Sequence, residues 1–155
     1  MTGYDRVLYF DSDCLVVGSI NELLSMDMQA HPLWVTRDIR GGKWVDGFNM
    51  GVFMIKPSID EFRRLVKDKD DPTVQYETMM SEQGFLNVIY KDTWGDFGFS
   101  NNANLAAYSD DPVLWRQQET DGINVIHYTM NKPWDCGPAY KTVCALWHTF
   151  DTGAE

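Results

Sequence analysis

At 155 residues the chain has room for at most one domain with a real core, and its 14% aromatic content excludes intrinsic disorder. A formal net charge of −10 excludes a nucleic-acid backbone or an anionic membrane surface as main partner; an anionic nucleotide needs a metal or a local cation to receive it. No run reaches the roughly 20 apolar residues of a membrane span, and Met1 to Arg6 carry no apolar stretch of the signal-peptide kind.

Val7-Leu8-Tyr9-Phe10 reads as a strand buried on both faces, and it runs straight into Asp11-Ser12-Asp13. Two carboxylates closing an apolar run are costly unless they reach solvent or a metal. On an extended backbone residues two apart face the same side, so both can approach one divalent cation. Next, Ser19 is placed to cap a short helix from Ile20 to Leu24, with Glu22 three residues on. Positions 33–36 predict a strand. Positions 37–47 read as a polar loop made mobile by Gly41-Gly42. Positions 51–55 are again fully apolar and read as a strand stopped by Pro57.

Ser58 then caps a helix that carries Ile59, Phe62, Leu65 and Val66 at helical spacing, the pattern of a core-facing stripe. Ser81 caps a third helix, with Phe85, Leu86, Ile89 and Tyr90 on its apolar face. Positions 124–127 form a last strand ending on His127, and the remainder reads as an irregular tail. Strands alternating with helices predict an α/β fold with a mainly parallel sheet. Of the three cysteines, Cys136 and Cys144 either pair in an oxidising compartment or stay free, and both readings stand.

Singly these motifs are weak. An Asp-x-Asp is more often a solvated turn than a metal site, and a strand-end histidine is usually structural. In the order VLYFDSDCLV, DGFNMGVFMIKPS, SEQGFLNVIY and VIHYTMNKPWD, however, the chain resembles glycosyltransferase family 8, the glycogenin-like group that includes galactinol synthases and plant glucuronosyltransferases. The resemblance runs from Val7 to about Trp147. It implies a GT-A type, Rossmann-like α/β fold in a single domain over 1–155, corresponding to the C-terminal portion of the family's domain. The first nucleotide-binding half, which holds uracil and ribose, would lie before Val7.

The implied activity is retaining transfer of a hexosyl unit from a UDP-sugar to a glycan, polyol or protein acceptor, with Mn²⁺ as cofactor. Asp11, Asp13 and His127 would hold the metal. Asp46, Asn49 and Gly51 would meet the donor sugar, Lys132 the diphosphate, and Glu82 and Gln83 the anomeric carbon. Retention would proceed by front-face attack, since no residue is an unambiguous nucleophile. Glu82 stands where the family carries Asp, and Met79 where glycogenins carry a further Asp. The resemblance allows a homodimer and either the cytoplasm or the Golgi lumen. A catalytically inactive interaction module of the same fold is the alternative. A haloacid dehalogenase-like phosphatase, which shares an Asp-x-Asp after a strand, is a minor one; Leu15 departs from its pattern.

Overall fold

The stretch 33–55 folds as one long hairpin. In the computed structural model, which describes residues 3–150, the chain forms β1 (Val7–Phe10), β2 (Cys14–Val16), α1 (Asn21–Ser25), β3 (Leu33–Arg40), β4 (Lys43–Ile55) and α2 (Ile59–Lys69). These are followed by α3 (Ser81–Ile89), β5 (Gly95–Asp96), β6 (Ala103–Asn104), α4 (Ala106–Asp110), α5 (Pro112–Asp121), β7 (Val125–His127) and α6 (Lys141–Phe150). Arg40 pairs with Lys43 across Gly41-Gly42, whose φ values are +55° and +69°. A two-residue hairpin turn of this kind needs φ > 0 at both central positions, which glycine supplies without steric cost. The expected mobile loop is therefore a hairpin tip.

That hairpin sets the sheet. The strand order is β1-β4-β3-β5, with β4 antiparallel to both neighbours and only β3–β5 parallel. A second sheet runs β2-β7-β6, antiparallel then parallel. The α/β character holds, but the pairing is not mainly parallel. A two-residue connection can only join antiparallel neighbours, and it takes the place of a helical crossover.

Three apolar clusters fill the molecule. One packs Leu33, Val35, Phe48 and Met50 of the hairpin against Tyr90 at the end of α3. One joins the two sheets through Leu23, Val52, Phe97 and Val125. The third packs Trp115, Ile126, Tyr128 and Val143 between the second sheet and the C-terminal helices. There α5 starts from an Asp111 side chain that accepts from Leu114 N, with Pro112 in the first turn. The C-terminal part does not stay irregular: it ends in α6, whose Cys144 is disulfide-bonded to Cys136. Cys14 remains a free thiol.

α2 departs from its amphipathic pattern. Ser58 caps it as expected, accepting from Glu61 N at 3.2 Å, yet Ile59, Phe62 and Val66 are 49%, 60% and 47% exposed. With Val7, Tyr9, Phe53 and Ile55 this face borders an open apolar groove of about 470 Å³. Among the described residues β1, which reads as an interior strand, pairs with β4 alone and lies at the end of the strand order. Leu65, packed against the hairpin cluster, and a hydrogen bond from Tyr90 Oη to Glu61 at 2.5 Å hold α2, while Arg64 bridges Glu61 and Asp68 within the helix. Arg64 holds the Glu61 carboxyl below the usual range against the opposing effect of its partial burial. Since the Phe62 side chain is already in water, Phe62→Ser should change the free energy of urea unfolding by less than about 0.5 kcal/mol. A loss beyond about 2 kcal/mol would show that the groove is closed in solution.

Candidate active site

The chain leaves the first sheet at Phe10 and enters the second at Cys14, and Asp11-Ser12-Asp13 is the crossing. Cys14 N donates to Asp11 O at 3.0 Å, closing a tight turn rather than an extended strand end. Asp11 N donates to Gly51 O at 2.8 Å, and Tyr128 N to Asp13 O at 3.0 Å, so the turn is pinned to both sheets. His127, the last residue of β7, reaches over this seam. Its ring lies where a side chain on Gly51 would be: a Cβ there would stand 1.9 Å from His127 Cε1. Gly51 is therefore required by the histidine's position, and its place in the site is under the ring.

Electron-pair donors converge at the seam. His127 Nε2 is 3.5 Å from Asp13 Oδ1 and 3.7 Å from Asp11 Oδ2. On the other side of the ring, Nδ1 lies 3.1 Å from Asn49 Oδ1 and 3.0 Å from Asn102 Oδ1. Lys132 Nζ donates to Asp13 Oδ2 and, at 3.2 Å, to Tyr128 O. The two Asp13 oxygens are thus divided between Lys132 and the imidazole. Burial works to raise the Asp13 carboxyl's pKa, but hydrogen bonds from His127 and Lys132 outweigh it and hold it at about 2. Lys132 does so in every state of the ring, whereas His127 does so only while its Nε2 carries a proton.

Cys14 also points here, so Asp13, Cys14 and His127 offer ligand atoms within 4.8 Å of one another. Burial, with the Asp13 and Asp11 charges adding to it, pushes the Cys14 thiol up to about 12. As a neutral thiol it donates to Gly51 O at 3.4 Å. Asp11, Asp13 and His127 are the better cation set: two carboxylates and an imidazole, the oxygen–nitrogen mixture that suits a divalent transition metal.

A cleft of about 330 Å³ opens over this seam and is bordered by Asn49, Gly51, Glu82, Gln83 and Lys132 as well as the ligand set. Gln83 is held firmly: Oε1 accepts from Met50 N at 3.1 Å and Nε2 donates to Asp38 Oδ2 at 3.4 Å. Glu82 beside it is exposed to the cleft. The helix starts at Ser81 itself, with φ +50° and no side-chain cap, so the expected Ser81 cap is absent. That strained residue follows a 3₁₀ turn at Thr78–Met80 and aims the Glu82-Gln83 pair.

The structure brings together every sequence-predicted site residue except Asp46. Asp46 is exposed on β4 and does not border the cleft. Between Asp46 and Asn49 the β3–β4 register is irregular, Arg37 pairing with Phe48 but Ile39 with Trp44, so the two side chains do not follow a simple alternation. Asn49 itself faces His127 Nδ1 at 3.1 Å and also accepts from Gly51 N at 2.9 Å.

Two residues escaped sequence reasoning. Asp38 is buried and accepts from Ile39 N, Arg40, Asn104 and Gln83. It borders a second pocket of about 400 Å³ that shares Asn49 and Gln83 with the cleft. Asn102 is fully buried against His127 and Asn49. Three amides at 101, 102 and 104 in an otherwise apolar stretch were the available signal for the latter.

These features coincide with similarities to known proteins. The family model described as glycosyl transferase family 8 matches residues 1–136. Glycosyltransferase GlyB of Streptococcus pneumoniae is 30% identical over 145 residues, covering 84% of this chain and 34% of that protein. Glycogenin of Komagataella phaffii is 29% identical over 155 residues, covering 90% and 36%. The chain spans about a third of the length of these relatives. Among solved structures, glycosyltransferase GlyE of S. pneumoniae superposes with a TM-score of 0.65 at 20% identity, over 95% of this chain and 43% of that one. The fold is accordingly GT-A. Among the described residues, no helix is long and apolar enough to cross a membrane. The chain belongs to glycosyltransferase family 8.

Proposed function

We propose that this chain carries the metal, diphosphate and sugar-handling part of a retaining, Mn²⁺-dependent glycosyltransferase that uses a UDP-sugar. The observation that carries the reading is the convergence of Asp11, Asp13 and His127 at one seam, with Lys132 and Glu82-Gln83 on the rim of the same cleft. The donor set fits a divalent cation on its own chemistry. Three carboxylates border the cleft against one lysine, so a nucleoside diphosphate would be repelled unless a cation offset that charge.

Cleavage of a sugar–phosphate bond throws negative charge onto the departing diphosphate. The bound metal would supply Lewis-acid stabilisation of that charge. Lys132 contributes a second positive charge from the rim. Asp13 orients Lys132 and presents its other oxygen to the seam. Gln83 is fastened by two hydrogen bonds, and an amide so held serves to position and polarise rather than to attack. The Glu82 carboxylate faces the cleft and favours positive charge developing at the anomeric carbon. With no fixed nucleophile under the sugar, attack by the acceptor on the leaving-group face is the retaining route. A hexose extending from the seam toward the second pocket would meet Asp38, the carboxylate that fastens Gln83 there. The acceptor would be a glycan, polyol or protein hydroxyl.

Thermal unfolding of the chain with Mn²⁺, with UDP, and with both tests this. At about 100-fold excess over Kd a ligand adds about 2.7 kcal/mol, a rise in Tm of roughly 5–10 °C for a chain of this size. The rise is expected only with both ligands present. A cooperative transition indifferent to them would make the chain an interaction module of the same fold.

A further inference from the structure

We infer that Asn102, which lies outside the cleft, is a positioning residue that fixes the tautomer of His127 and leaves its Nε2 bare toward Asp11 and Asp13. The backbone N–H of Gly51 can only donate, and it meets Asn49 Oδ1 at 2.9 Å. The atom of Asn49 on that side must be its carbonyl oxygen. The same oxygen is 2.9 Å from Asn102 Nδ2, so Asn102 turns its amino group toward Asn49. Its own oxygen then faces His127 Nδ1 at 3.0 Å, while Asn49 Oδ1 lies 3.1 Å from that nitrogen.

Nδ1 is therefore met by two oxygens, neither of which has a hydrogen to give. It must carry the proton. A neutral imidazole has one N–H, so Nε2 keeps its lone pair, directed at the carboxylates 3.5 and 3.7 Å away. Turning the Asn102 amide over would set its oxygen against that of Asn49 and its amino group against the proton on Nδ1. Asn102 is 0% exposed, which keeps water from relieving that conflict. One backbone N–H thus dictates, through two amides, which ring nitrogen is free. Partners of this kind commonly govern metal affinity by 10–100-fold.

The tautomer assignment stands on the hydrogen bonds alone, whereas its effect on affinity rests on the metal reading proposed above. Two-bond ¹H–¹⁵N correlation spectra of metal-free, ¹⁵N-histidine-labelled chain at pH 8 report the tautomer directly. Loss of one pattern in His127→Gln separates His127 from His31 and His148. The wild-type ring should show a protonated Nδ1 and an unprotonated Nε2, and Asn102→Leu should shift the pattern toward protonated Nε2. In calorimetric titrations with UDP present, Asn102→Leu should weaken Mn²⁺ binding by 10–100-fold. A protonated Nε2 in the wild type overturns the inference, whether or not the variant folds. So does a folded Asn102→Leu with an unchanged tautomer. The expected tautomers without any Mn²⁺ binding would uphold the positioning role and count against the proposed function instead.

Discussion

Gly51→Ala is expected to be among the most damaging single-methyl changes available to this chain. The added Cβ would lie 1.9 Å from Cε1 and 2.1 Å from Nδ1 of His127, and the ring cannot retreat because Nδ1 is held by Asn49 and Asn102. Overpacking a rigid site costs about 3 kcal/mol or more, which for this length is a fall in Tm of roughly 6–12 °C. The cause is a single contact, so it can be isolated. In a His127→Ala background the ring is gone and the added methyl has space, so Gly51→Ala should then cost less than about 1 kcal/mol. Equal costs in the two backgrounds would place the clash elsewhere. Because the added methyl must push either the ring or the strand beneath it out of the seam, Gly51→Ala should also abolish any joint Mn²⁺ and UDP stabilisation.

Asp13→Asn should remove metal-dependent UDP binding altogether, with a second consequence for acid stability. Asp13 has a folded-state pKa of about 2 against an ordinary 3.8. A carboxyl with a depressed folded pKa stabilises the native state in full above about pH 4. That contribution, on the order of 2 kcal/mol, is lost as pH falls from about 4 to about 2. The variant should therefore unfold with a flatter pH dependence in that window, while at neutral pH it leaves Lys132 without its carboxylate partner. Chemical denaturation at pH 2 to 7 measures the first effect, and calorimetry with Mn²⁺ and UDP the second. An acid limb as steep in the variant as in the wild type would remove Asp13 from the paired role.

Part of this architecture was legible beforehand because its causes are local. The strands at Val7–Phe10 and Val125–His127 follow from short β-branched and aromatic runs, and the helix at 59–69 from a serine cap and 3.6-residue spacing. The misreadings have non-local causes. The Gly41-Gly42 pair reads as flexibility until Arg40 and Lys43 are seen paired across it. The stripe on α2 predicts burial, yet an amphipathic pattern states only that a face is apolar and not what covers it. The short β2 was not seen because three residues carry too little periodicity, and α6 because its disulfide and packing outweigh local propensity.

The sequence by itself determined the chemistry available: an Asp-x-Asp closing a strand, an acid–Gln pair opening a helix, and a histidine and a lysine near the far end. Residue types and their order are enough for that, since they fix which functional groups the chain carries. The tertiary structure alone decided that Asp11 and Asp13 occupy a crossing between two sheets, that Gly51 is small because His127 lies over it, and that Asp38 touches Gln83 and Asn102 touches His127 while Asp46 does not border the cleft. Those are statements about pairs 25 to 116 residues apart, Asn102 with His127 at one extreme and Asp11 with His127 at the other. Sheet register and excluded volume create such pairs, and neither leaves a mark in the spacing along the chain.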